Sequence, residues 1–171
     1  MKKNNWEIDW KRFKAFLAKH YNVSEIYYYE GMVSKASFFD IYPEKTLKDF
    51  IRSTEAKKNY FKFLKDQGFI VRHKLINRVF DSRGNGFKHK CNFDVELTID
   101  AIDTIDSYDI FILCSGDGDF LKLLKYLKGK YKRVVIIAGK ERLSKDLKKT
   151  SHQVIFLKEI KPDIHKNFNK D

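Results

Sequence analysis

The chain has 171 residues, with 35 lysines and arginines against 23 aspartates and glutamates, a net charge of +12, and 43% hydrophobic and 15% aromatic content. That apolar share excludes a disordered basic tail, and the length suggests one domain with its own core. No apolar run nears the ~18 residues that span a bilayer, and Met1 to Glu7 lacks a signal peptide's apolar stretch, so a cytoplasmic protein with no membrane partner is expected.

Asp9 is placed to cap a helix through about Tyr21, with Trp10, Phe13, Phe16 and Leu17 on one face. Ile26 to Tyr29 reads as a short strand. Met32 to Ser53 is poorly periodic and interrupted by Pro43, which leaves irregular chain or short helical turns. Glu55 to Gln67 is a helix stopped by Gly68 at the position after its C-cap. A strand starts at Phe69 to Val71, and its continuation through Phe80 is open. Arg83-Gly84-Asn85-Gly86 reads as a turn, followed by a basic loop. A helix then runs from Asn92 or Asp94 to about Ile105, with Val95, Ile99 and Ile102 at helical spacing. The remainder alternates: strand Ile110 to Cys114, helix Phe120 to Leu127, strand Val134 to Ala138, helix Ser144 to Lys149, strand Val154 to Leu157, and a polar tail from Lys161. Such alternation predicts a wound α/β sheet.

Leu113-Cys114-Ser115-Gly116-Asp117-Gly118-Asp119-Phe120 carries the chemistry: an apolar strand ends in two carboxylates one residue apart, among small residues. In open α/β sheets ligands bind at the strands' C-terminal ends, and clustered carboxylates repel one another unless a cation neutralises them. Asp94, Asp117 and Asp119 would suffice for a divalent ion that keeps several waters. The ion would stabilise charge growing on a phosphate and lower the pKa of a bound water, which suits phosphodiester hydrolysis. The plainer alternative is that each acid caps the helix it precedes. Asp100 lies about 240° around the helix from Asp94, so it would support the ligands rather than share the ion, or belong to a solvated acidic face with Glu96. Ser115 and Asn92 are further polar candidates beside the acids, with turn or cap roles as alternatives. Basic residues flank the acidic positions on both sides. Arg78, Arg83, Lys88 and Lys90 before Asp94, and Lys122 after Asp119, are the candidate nucleic-acid contacts, since cations beside an acidic spot suit a polyanionic substrate. Tyr27-Tyr28-Tyr29 and Phe38-Phe39 either stack bases or pack internally. Cys91 and Cys114 lack metal spacing and read as reduced thiols, Cys114 as a packing residue inside its strand.

Lys90-Cys91-Asn92-Phe93-Asp94-Val95-Glu96-Leu97-Thr98-Ile99-Asp100-Ala101 resembles the family pattern K-G-x-D-V-x-L-x-x-D-A, and Ser115-Gly116-Asp117-Gly118-Asp119-Phe120 resembles S-G-D-S-D-F. Tyr108-Asp109-Ile110 and the return strand Val134-Val135-Ile136 fit around them. Together they resemble the NYN domain, in the LabA-like branch of the PIN-like nuclease superfamily, over roughly Ile8 to Ile160. The resemblance implies a Rossmann-like PIN-type three-layer α/β fold with a mainly parallel sheet. It also implies Mg²⁺ or Mn²⁺ at the acidic cluster, RNA as partner and substrate, and a homodimer by analogy with other PIN-like domains.

Members of that family begin with a strand ending in F-I-D-x-x-N, which supplies the first Asp of the cluster, whereas this sequence opens at the following helix. In the PIN-like order 3-2-1-4-5 the strand lacking here is the central one, and its absence would leave two open edges. An omitted upstream segment, closure of the gap or its filling by another chain, and a degenerate family member are the competing explanations. The expectation is a metal-dependent ribonuclease, with a catalytically weakened or inactive RNA-binding or regulatory module as the alternative. A phosphatase with an Asp-x-Asp nucleophile would carry the pair after its first strand, and a sugar-nucleotide transferase would need a larger chain.

Overall fold

The computed structural model describes residues 6–81 and 86–166, a mixture of helices and strands that alternate strictly only from Asp94 onward. They form two compact units: one from the chain up to Ser24 together with the chain from Asp94 onward, the other Glu25–Phe93. No helix among the described residues is long and apolar enough to cross a membrane.

The first unit opens with α1 (Trp10–His20), where the Asp9 carboxylate accepts from the backbone N–H groups of Lys11 and Arg12, as its position before the apolar face predicts.

In the second unit, β1 (Tyr27–Met32) is separated from its sheet partner by two helices, α2 (Lys35–Ile41) and α3 (Leu47–Asp66). α2 and the first seven residues of α3 lie in the stretch whose apolar pattern is weak, and local capping explains both starts. The Ser34 hydroxyl accepts from the Ser37 N–H ahead of α2, and Thr46 and Asp49 form a reciprocal capping box ahead of α3. α3 therefore begins at Leu47 rather than Glu55. It ends as expected at Gly68, whose φ of 83° is left-handed. The chain then enters β2 (Ile70–Leu75), parallel to β1 with Tyr27 opposite Ile70 and Met32 opposite Leu75. Tyr28 packs edge-on against Tyr60 of α3 and donates its hydroxyl to Glu30, while Phe38 is buried. Those rings are packing groups.

β3 (Asn77–Asp81) and β4 (Gly86–Lys90) pair antiparallel. The basic run expected as a loop is thus a strand. Period-2 patterning is nearly absent there, and cross-strand pairing such as Arg78 opposite His89 makes the hairpin. Asp40 of α2 accepts an ion pair from Arg78 at 3.2 Å and lies 3.6 Å from His89. Three of the four expected turn residues, Arg83 to Asn85, lie outside the described residues.

The first unit continues with α4 (Asp94–Asp103), β5 (Ile110–Leu113), α5 (Leu121–Gly129), β6 (Arg133–Ala138), α6 (Lys145–Thr150), β7 (Gln153–Phe156) and α7 (Leu157–Ile164). β6 is the middle of a parallel sheet of order β5-β6-β7, with Ile110 opposite Arg133 and Val135 opposite Gln153. Its last five residues are all buried, because helices cover both faces. Leu113, Val134, Ile136 and Ala138 meet Leu123, Leu124 and Leu127 of α5, Leu147 of α6 and Ala101 of α4. The alternate residues face α1 and α7, whose Phe13, Leu17, Ile160 and Ile164 are buried. This is the expected three-layer α/β arrangement with a parallel sheet.

The polar tail expected from Lys161 starts later, since residues 161–164 complete α7. Ile164 is fully buried there, its carbonyl accepts from the Asp9 N–H at 2.8 Å, and the Arg12 guanidinium donates to the carbonyls of Pro162 and His165. One apolar side chain among polar neighbours is too weak a signal to mark this turn. Among the described residues β1 is laddered to β2 alone and β5 to β6 alone.

α3 and α5 end in the same hydrogen-bonded motif with different residues at the left-handed position. After α3, Gly68 N–H donates to Lys65 and Phe69 N–H to Leu64; after α5, Tyr131 N–H donates to Lys128 and Lys132 N–H to Leu127. Tyr131 has a φ of 61° and is 97% exposed, so its ring offsets none of the strain. Tyr131→Gly is expected to raise the unfolding free energy by about 0.5–1 kcal/mol, the left-handed penalty of ~1–2 kcal/mol less glycine's extra chain entropy, measured by urea denaturation.

Candidate metal centre

β5 ends at Leu113, which the core buries, and the chain leaves the sheet through a turn held by its own polar groups. The Ser115 hydroxyl accepts from the Asp117 N–H at 3.2 Å. Asp117 Oδ1 in turn accepts from the Asp119 N–H at 3.1 Å, starting a short 3-10 turn over Gly118–Phe120. Phe120 is buried and pins the turn to the core. Asp117 thus has the capping role available to any strand-to-helix aspartate, and its second oxygen is left for another task. Cys114, expected inside the strand, lies just past its end and is exposed.

A second loop braces this turn. After β6 the chain makes a 3-10 turn over Lys140–Arg142, and the Ser144 N–H donates to the Gly116 carbonyl at 2.9 Å. The loops approach so closely that a Cβ on Gly116 would lie 2.3 Å from the Arg142 carbonyl oxygen and 2.9 Å from the Leu143 Cα. Glycine is required there by contact rather than by torsion.

Asp94 enters from α4, half-buried in its first turn, where the helix dipole favours a negative charge. Helix α4 is anchored by Ala101 in the core and by the Tyr108 hydroxyl, which donates to the Ala101 carbonyl at 2.6 Å. Burial pushes that phenol up to about 12, so it stays a donor across the ordinary pH range. The outcome is convergence: one carboxylate oxygen from each of Asp94, Asp117 and Asp119 lies within 4.8 Å of the others, with Asp117 and Asp119 exposed. An octahedral magnesium with bonds of ~2.1 Å spans ligand pairs about 3–4 Å apart, so the oxygen triangle is close to the size such an ion takes. All three donors are hard oxygens, which suit Mg²⁺ or Mn²⁺.

The other sequence candidates are placed as follows. Ser115 shapes the turn by accepting the Asp117 N–H. Asp100 lies six residues beyond Asp94 on α4 and is not among the three converging carboxylates. Asn92 is exposed just ahead of α4. Lys122 is exposed in the first turn of α5, directly after the acidic turn. Arg78, Lys88 and Lys90 are exposed on the β3–β4 hairpin, with Arg78 tied to Asp40, and Arg83 lies outside the described residues. Sequence reading missed the brace around Arg142, Leu143 and Ser144. Nothing in the local pattern marks it, because it acts through backbone atoms from a different crossover.

A parallel sheet covered on both faces, with carboxylates gathered past the C-terminal end of its β5 strand, defines a nuclease-like α/β domain. The NYN domain pattern matches residues 1–158, and the chain belongs to that family. The low amplitude and bright protein LabA of Synechococcus elongatus is 26% identical over 167 residues, which span 96% of this chain and 80% of LabA. A crystal structure of a Vibrio parahaemolyticus protein of unknown function shares the fold, with a TM-score of 0.68 at 22% identity, covering 96% of this chain and 86% of that one.

Two measurements test the centre. Mn²⁺ at about 100 times its dissociation constant is expected to stabilise the protein by about 2.7 kcal/mol, and Asp94→Asn or Asp119→Asn to remove most of that gain, read as the shift of thermal midpoint with added metal. Gly116→Ala forces the braced loops apart and is expected to cost about 1–3 kcal/mol while weakening Mn²⁺ binding, read by urea denaturation and calorimetric titration.

Proposed function

We propose that this protein is a divalent-metal-dependent ribonuclease that hydrolyses RNA phosphodiester bonds at the Asp94, Asp117 and Asp119 cluster. The observation that carries this reading is the meeting of three carboxylate oxygens within 4.8 Å, on a chain of net charge +12. Carboxylates alone repel a phosphate, so such a cluster serves a polyanion only with a cation between them. Asp94, Asp117 and Asp119 would hold Mg²⁺ or Mn²⁺. When bound, the ion supplies neutralisation of charge developing on the phosphoryl oxygens and a more acidic water.

The chain's own groups do the rest. Asp117 and Asp119 are exposed, so a phosphodiester can approach from solvent, while half-buried Asp94 is fixed by its helix. The Ser115 and Gly116 contacts hold the turn in one geometry, which spares the cluster the cost of ordering itself around its ligand. Lys122, Arg78, Lys88 and Lys90 supply positive charge for the RNA backbone, a contribution that fades with added salt.

The test is cleavage of single-stranded and structured RNA with Mg²⁺ or Mn²⁺, wild type against Asp117→Asn. Cleavage by the wild type, abolished by EDTA and lowered by at least about 100-fold in Asp117→Asn with RNA binding retained, is the expected result. Cleavage indifferent to both changes would refute the proposal. Tight RNA binding with no cleavage would instead assign the chain to the non-catalytic RNA-binding class.

A further inference from the structure

The acidic turn lies past one end of the β5-β6-β7 sheet, and the opposite end carries a different kind of site. On the face covered by α1 and α7, at the N-terminal ends of the strands, lies an open cavity of about 500 Å³. That volume is within the ~300–1,000 Å³ range of small-molecule sites. Its apolar lining is Phe16 of α1, Ile110 of β5, Ile155 of β7 and Ile160 of α7. The parallel register brings Ile110 level with Arg133, and Gln153 and Ile155 follow on the next strand of the same face.

Three polar groups of this cavity are already linked to one another, and His20, its ring against Phe16, also lines it. The Tyr21 hydroxyl donates to Gln153 Oε1 at 3.2 Å, and the Arg133 guanidinium donates to the same oxygen at 3.0 Å. Two donors saturate that amide oxygen and fix which way the side chain is turned, leaving the Gln153 NH₂ and the other guanidinium N–H groups as donors. Among the described residues no carboxylate pairs with Arg133. A planar guanidinium beside an amide N–H suits the two oxygens of a carboxylate, and the isoleucine-lined remainder suits a hydrocarbon body. Asp163 also lines the cavity, from α7. Its negative charge disfavours a second anionic group on a ligand.

We propose that this cavity binds an amphipathic monocarboxylate, its head on Arg133 and Gln153 and its apolar body against Phe16, Ile110, Ile155 and Ile160. The site is separate from the acidic cluster and independent of the ribonuclease reading. Bare electrostatic attraction to a cationic protein would favour a dianion of equal chain length, whereas this cavity selects the monoanion, so the two are separable on the unaltered protein.

The probes are decanoate, decanedioate and 1-decanol, titrated below their micelle or solubility limits and followed by backbone amide chemical shifts. Decanoate is expected to shift the amides of Tyr21, Arg133 and Gln153, and to bind at least about tenfold more tightly than decanedioate or decanol, the worth of a charge-assisted head contact. Arg133→Met should weaken decanoate by a similar factor, while Lys130→Met, which removes an exposed charge elsewhere in the same unit, should not. No shifts at millimolar decanoate, shifts confined to other residues, decanedioate equal to or tighter than decanoate, or equal loss in both variants would overturn the proposal. If Arg133→Met does not fold, the three-ligand comparison on wild-type protein decides alone.

Discussion

The hydrogen bond from the Ser144 N–H to the Gly116 carbonyl joins the loops that follow β5 and β6, and the acidic turn depends on that join. Two aspartates in a free loop would drift apart under mutual repulsion. Here the turn is held on three sides: Ser115 and Asp117 by side-chain oxygens that accept from the N–H groups two residues on, Phe120 by the core, and Gly116 by the neighbouring backbone. The join exists because β5 and β6 are parallel and in register, so that both strands release their loops at the same end of the sheet. Burial of β6 between two helical layers is thus the first cause of the site's geometry.

Parallel strands also divide the labour of the unit between its two ends. Past the C-terminal end of β5 the backbone turns, small residues allow close approach, and negative charge is gathered. At the N-terminal ends Arg133 and Gln153 start their strands, with a cavity of mixed lining before them. One end gathers carboxylates and the other sets hydrogen-bond donors beside a partly apolar space. The two ends share no side chain.

The weakly patterned stretches show where local reading ends. α2 and α3 announce themselves through Ser34 and the Thr46–Asp49 capping box rather than through periodicity, and a reading weighted to apolar spacing passes over them. The β3–β4 hairpin is a sharper case, since Arg78, Lys88 and Lys90 look like solvated chain until their ladder is formed. The last turn of α7 is held by Ile164 and by carbonyls that accept from Asp9 and Arg12, partners 150 or more positions away in sequence. Conversely, Asp9 and Gly68 were legible because a cap and a left-handed helix end are satisfied within a few residues.

By itself the sequence determined the alternation of elements, the parallel α/β class, the identity of the three carboxylates and the family to which they belong. These rest on periodicity, on caps and on short motifs, all encoded within a turn or two of chain. Only the tertiary structure decided that Asp94 meets Asp117 and Asp119 within 4.8 Å while Asp100 is left out, that Gly116 rests on the Arg142 carbonyl, and that Arg133 and Tyr21 share one amide oxygen. Each of those joins groups from different crossovers of the sheet, and their separations are set by how helices pack against strands, a quantity that no local pattern carries.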